Sequence, residues 1–202
     1  MPAGCGGRLL MKFTGEETKE ELLYKGIELI ERFSEDNGIK MPKIFVVGPS
    51  RISAYGLFYP NDIIHVNMKL CRPPVKVPGY DWTFPGYIQD LTPYGILAHE
   101  FGHYISDMLG KKFRKNFVNI RKIEENVTST DDRGLDEKMA EAARLFITNP
   151  DLLRIGRPYR YEIFSRHYTP VVKHRWKTVL KNAHPKIISA AERWIERGYI
   201  KK

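Results

Sequence analysis

Cysteine is nearly absent from this chain: there are two in 202 residues, Cys5 and Cys71. Cys5 stands in a Gly-rich opening stretch, so a structural disulfide is not expected and a reducing compartment is the default. Long hydrophobic runs are missing too. No stretch approaches the roughly 18 apolar residues of a membrane span, so no membrane partner is expected. The opening residues Met1-Pro2-Ala3-Gly4-Cys5-Gly6-Gly7 have neither a basic start nor an apolar core. That argues against a signal peptide and for a cytoplasmic location. Acidic residues are scarce in one region. Residues 151–202 hold 13 Lys and Arg against 4 Asp and Glu, which accounts for the whole net charge of +9. Such an excess fits a solvated helical face, or attraction to an acidic partner or nucleic acid.

What is present suffices for one domain with a sizeable core. Hydrophobic residues make up 42% of the chain and aromatics 12%, which excludes a disordered chain. Residues 1–16 read as a loose leader and 17–202 as a single domain whose basic, helical C-terminal region begins near 151. There is no internal repeat.

Thr18 followed by Glu21 is a capping-box pattern, and Leu22, Leu23, Ile27, Leu29, Ile30 and Phe33 continue at near-helical spacing. A first helix is expected over about 18–36, stopped at Asn37-Gly38. Lys43–Val47 reads as a short buried strand. Ala54–Tyr59 and Ile63–Val66 flank Pro60-Asn61-Asp62 as a hairpin, with His65 an ordinary strand residue. Residues 71–91, rich in Pro, Gly and aromatics, read as an irregular rim or lid. A helix after Pro93 is expected to end at Gly110, followed by a basic, less regular stretch. A strong helix over 136–147 is ended by Asn149-Pro150. Basic amphipathic helices are expected over 158–168, 170–181 and 185–197. Strands before the central helix and helices after it indicate α+β.

The central helix carries His99-Glu100-Phe101-Gly102-His103, the HExxH pattern of zinc-dependent hydrolases. One helical turn separates His99 from His103, so their imidazoles project toward one point. A catalytic zinc needs two such nitrogens, a third protein group and an open position. Glu100 is not required as a ligand and is free to take a proton from an attacking water. Leu97, Phe101, Tyr104, Ile105 and Met108 form an apolar stripe on another face, with Ile96 near the His pair. A helix covered on more than one side makes two His and a Glu costly unless they are paired or bound to a metal.

The third ligand is not a nearby His. A metzincin would have His at 109 and Gly at 106, and this chain has Leu109 and Ser106. Glu137 and Glu141 are the alternatives, i,i+4 on one helix face beside Ala142 and Ala143. One carboxylate can ligate while the other accepts the second N–H of a ligand His. Spacing alone does not choose between them.

The segments HEFGH (99–103) and EKMAEAARLFITNP (137–150) resemble the gluzincin metallopeptidases related to the catalytic domain of anthrax lethal factor and to phage-encoded zinc peptidases. The resemblance covers about 90–150, and the AYGLFYP hairpin is compatible with it. It implies a zincin-like fold with a small mixed sheet packed on the HExxH helix, and a zinc endopeptidase acting on peptide or protein substrates. It implies Glu137 as the third ligand and Glu141 as the partner of a zinc His. Enzymes of the lethal factor type carry a Tyr seven residues before the ligand Glu, thought to donate to the oxyanion. Thr130 stands there in this chain, which leaves Tyr161 and His167 as candidate donors. Two rival expectations are a nucleic-acid-tethered protease, drawn from the basic C-terminal region, and a zinc-stabilised binding module with little activity.

Overall fold

The structure, a computed structural model, describes residues 13–14, 16–48, 51–73, 89–120, 123–124, 127, 134–172 and 185–196. It is a mixed α+β arrangement in which a small sheet and several helices pack around one central helix.

Helix α1, Lys19–Asn37, starts with the capping box that Thr18 and Glu21 announce: each side chain bonds the other residue's backbone N–H. It ends at Gly38, in the left-handed conformation. Ahead of it the expected looseness stops short of Phe13, whose ring meets Tyr94 edge-on at 5.0 Å. Thr14 N–H donates to Glu17 there, at 2.7 Å.

The three strands are β1 (Lys43–Val46), β2 (Gly56–Tyr59) and β3 (Ile63–Val66). The β2–β3 hairpin forms as expected, with Phe58 opposite Ile64. Strand β1 adds parallel to β3, so the order is β1-β3-β2 and, among the described residues, both outer strands are edges. Here the expectation of a buried β1 fails: Phe45 is 46% exposed and Val46 59%. An edge strand with one uncovered face carries the same apolar residues as a central one. His65 lies on that outer face between the rings of Phe45 and Tyr59.

Helix α2 runs Pro93–Ile120 with non-helical backbone at Gly110. The helix breaks at Gly110 as expected, and the basic stretch beyond it, expected to be less regular, is a second helical run in which Phe113 and Phe117 bury against Phe164. Of the apolar stripe, Leu97, Phe101, Tyr104 and Ile105 are buried, whereas Met108, in the last turn before the kink, is 52% exposed.

Helix α3 spans Leu135–Thr148, and α4, Pro150–Gly156, follows at once. The Asn149-Pro150 pair read as a stop is also a start: the Asn149 side chain accepts from Leu152 N–H and Pro150 takes the first turn. Helix α5 is Pro158–Ser165 and α6 is Pro185–Glu196. Residues 170–172 are not helical, and 173–181 of the expected helix lie outside the described residues, as do 1–12, 15 and the 74–88 part of the expected rim. Among the described residues no helix is long and apolar enough to cross a membrane.

Phe33 of α1 joins the layers. Its ring meets Phe101 of α2 at 5.9 Å and Phe146 of α3 at 6.3 Å, both edge-on. Helices α2 and α3 approach closely at Gly102, where a Cβ would stand 2.7 Å from the Ala140 carbonyl oxygen and 3.0 Å from the Ala143 methyl. Only a residue without a side chain allows that spacing. It brings the face of α3 that carries Glu137 and Glu141 against the histidine face of α2.

Candidate metal centre

Two imidazoles from α2 and one carboxylate from α3 converge. Nε2 of His99 lies 3.4 Å from one oxygen of Glu137, and Nε2 of His103 lies 3.4 Å from the other. The three groups each place a ligating atom within 4.8 Å of the other two. Zinc–ligand bonds of about 2.05 Å at tetrahedral angles put neighbouring ligand atoms about 3.3 Å apart. The two nitrogen-to-carboxylate spacings, each to a different oxygen of Glu137, are close to that edge, and two imidazoles with a carboxylate are a donor set that could hold Zn²⁺.

The other nitrogen of His99 is occupied. Nδ1 meets Glu141 Oε1 at 2.6 Å, with both groups buried. An ionised carboxylate there accepts Nδ1–H and leaves the Nε2 lone pair turned toward Glu137 and His103. The choice that spacing left open thus has a geometric answer: Glu137 faces both imidazoles, and Glu141 backs one of them.

The electrostatics favour positive charge among these groups. Burial disfavours the charged imidazole of His99, but hydrogen bonds to Glu137 and Glu141 overcome it and raise the pKa to about 10. Glu137 is held well below the usual carboxylate range by His103 and then His99. Glu141 is also held low: burial opposes ionisation, and Arg144 and His99 outweigh it. Without a metal the site keeps a proton between two carboxylates. A divalent ion supplies positive charge at the same place.

Glu100 sits beside this group without joining it. Burial pushes its carboxyl up, against the opposing pull of His99, His103 and the Phe58 backbone N–H. Strand β2 passes so close that a Cβ on Gly56 would lie 2.7 Å from Glu100 Cγ and 2.8 Å from its Oε1. The triad and Glu100 open into a cleft of about 700 Å³. One wall is Ala54–Phe58 of the sheet edge, and the far end runs past Ser106 and Gly110 to Lys111, Arg114 and Asp136.

Tyr161 and His167 are not brought to this cleft. Tyr161 packs half-buried against Phe146, with ring centroids 5.6 Å apart, and His167 is exposed beside Phe113. Thr130 lies outside the described residues. Tyr55 is the tyrosine that lines the cleft among the described residues. The strand pattern that placed Ala54–Tyr59 before the motif was the signal that could have found it.

No family model, no curated protein and no solved structure matches the chain.

Proposed function

We propose that this chain is a zinc-dependent endopeptidase of the gluzincin type with a zincin-like fold. The observation that carries the reading is the convergence of His99, His103 and Glu137 beside Glu100, in a cleft walled by an edge strand. The sequence resemblance to lethal-factor-type peptidases supports the same assignment.

His99, His103 and Glu137 would hold the ion. When bound, zinc supplies a Lewis acid for the scissile carbonyl and acidifies the attacking water. The remaining chemistry belongs to the chain. Glu100 accepts the proton of the water and delivers it to the leaving nitrogen; its elevated pKa suits a base that must return what it takes. The edge of β2, unpaired among the described strands, aligns an extended peptide through backbone N–H and C=O groups, so that the scissile bond lies over Glu100. Tyr55 is the candidate donor to the developing oxyanion, in place of Tyr161 and His167.

The test pairs metal analysis with cleavage of a random peptide library. The wild type is expected to carry one zinc and to cleave. Glu100→Ala is expected to keep the zinc and lose cleavage, and an active Glu100→Ala chain would falsify the mechanism. Stoichiometric zinc in a wild type that cleaves nothing would instead favour the binding module. Four described arginines of the basic region are engaged within the chain, so nucleic-acid tethering would rest on its other basic residues. Arg157 and Arg160 are buried, and Arg154 and Arg166 pair with Asp151 and Glu162.

A further inference from the structure

Behind the ligating side chains lies a buried row of charges. The Glu141 carboxylate that meets His99 is gripped from its other side by Arg144. Nη2 donates to Oε2 at 2.9 Å, and Nε lies 3.3 Å from both oxygens. Each of the two residues is 1% exposed. A carboxylate held only by an imidazole can rotate about its last bond. One held by a guanidinium fork cannot turn without leaving buried charge unpaired. Arg144 also feels Asp90, a second buried acid. Asp90 accepts from the Thr92 N–H and hydroxyl at 2.9 and 2.7 Å, at the entry to α2. Arg144 therefore stands between an acid of α3 and an acid that leads into the helix carrying His99.

We propose that Arg144 is a positioning residue of the metal centre. It acts through Glu141: it fixes Oε1 on Nδ1 of His99, sets that tautomer, and so aims Nε2 at the point shared with His103 and Glu137. The inference rests on the reading of those three groups as a zinc site.

Zinc affinity of the full chain, measured by chelator competition, tests it, with circular dichroism in chelator as the check on folding. The variants are Arg144→Lys, Arg144→Met, Glu141→Gln and the double change. Loss of an outer partner of a ligand His costs about 10–100-fold in affinity, and Arg144→Met is expected to fall in that range. Arg144→Lys keeps the charge without the fork and is expected to lose roughly 3–10-fold. In the Glu141→Gln background, Arg144→Met is expected to cost less than about twofold more, because no carboxylate is left to aim. An equal loss in both backgrounds means general packing and overturns the proposal. If Arg144→Met fails to fold, the Lys variant decides: a several-fold loss supports the proposal and wild-type affinity overturns it. A wild type that takes up no zinc overturns the metal reading and this inference together. Zinc-binding wild type with indifferent Arg144 variants overturns the positioning role alone.

Discussion

Two clusters of buried charge flank the helical core, and they are built to opposite ends. One joins His99, Glu100, Glu137, Glu141 and Arg144 at the α2–α3 contact. The other joins Glu124 to Arg160 where the chain after α2 meets α5. Glu124 is as buried as Glu100, and burial raises its pKa to about 7 against the pull of backbone N–H groups and Arg160. Yet its oxygens are spent on structure: they accept the N–H groups of Tyr159 and Arg160 at 2.7 and 3.1 Å, in the first turn of α5. The Arg160 guanidinium lies over the Phe117 ring at 5.4 Å. In the first cluster each of two imidazole nitrogens faces one oxygen of a single carboxylate at 3.4 Å, and a cleft opens beside them. Burial and shifted pKa values are common to both. Convergence of ligand atoms on a point reachable from solvent separates a candidate site from a structural anchor.

Removing one acid from each cluster is the strongest way to break that comparison. Glu137→Ala is expected to abolish stoichiometric zinc and all cleavage, a loss beyond the roughly 100-fold typical of an outer partner. The folded chain is expected to survive, since Glu137 is only partly buried. Glu124→Ala is expected to do the reverse. Metal content stays at one per chain, and unfolding free energy falls by about 3–5 kcal/mol, as it does when one partner of a buried pair is deleted. Plasma emission spectrometry and denaturant unfolding on both variants give the four numbers needed. Zinc loss in the Glu124 variant without unfolding would erase the distinction.

The difference between the clusters was only half legible in the sequence. HExxH is local: four residues of helix put two imidazoles on one face, whatever surrounds them. The i,i+4 carboxylates of α3 were local in the same way. Which of them faces both imidazoles depends on how α3 lies on α2, where the missing side chain of Gly102 lets the Ala140 backbone approach. The pairing of Glu141 with Arg144 spans one turn, but its purpose shows only once His99 arrives from 42 positions away. The Glu124 cluster was invisible, because its acid and its arginine lie far apart in sequence and no periodicity marks them. The exposure of β1 was missed for a related reason: strand order decides which apolar strand becomes an edge, and KIFVV reads the same in either place.

Acidity offers a smaller test, in the outer part of the His99 cluster. Burial pushes Asp90 up to about 7, against the pull of Arg144 and Thr92. A carboxyl whose folded pKa exceeds its unfolded value of about 3.9 binds protons more tightly when folded. Its contribution to stability is full below about pH 4 and is lost as the pH rises through 7. Asp90→Asn keeps an acceptor for Thr92 and removes the titration. Between about pH 4 and pH 7 the metal-free variant is expected to lose less stability than the wild type, by on the order of 3 kcal/mol. Denaturant unfolding at four pH values measures it. Parallel wild-type and variant curves would mean that Asp90 does not titrate in this window.

The finest probe changes no charge at all. Gly102 lies between His99 and His103, and the atoms nearest its Cβ position belong to Ala140 and Ala143. Gly102→Ala inserts one methyl where the Ala140 carbonyl oxygen already stands 2.7 Å from the Cβ position. Helix α3 must retreat by a few tenths of an ångström or more, and overpacking of this kind costs about 1–3 kcal/mol. The retreat carries Glu137 away from His99 and His103, so zinc affinity is expected to fall along with stability. The same methyl in the other cluster's neighbourhood has no such reach. At Gly156, one residue ahead of Arg157 and outside the cleft, substitution to Ala is expected to leave zinc affinity within about twofold of wild type, whatever it does to stability. If Gly102→Ala lowers the melting temperature while zinc affinity holds, the α2–α3 spacing does not set the ligand geometry. The 3.4 Å approaches would then owe their match to side-chain rotation, not to the helix contact beneath them.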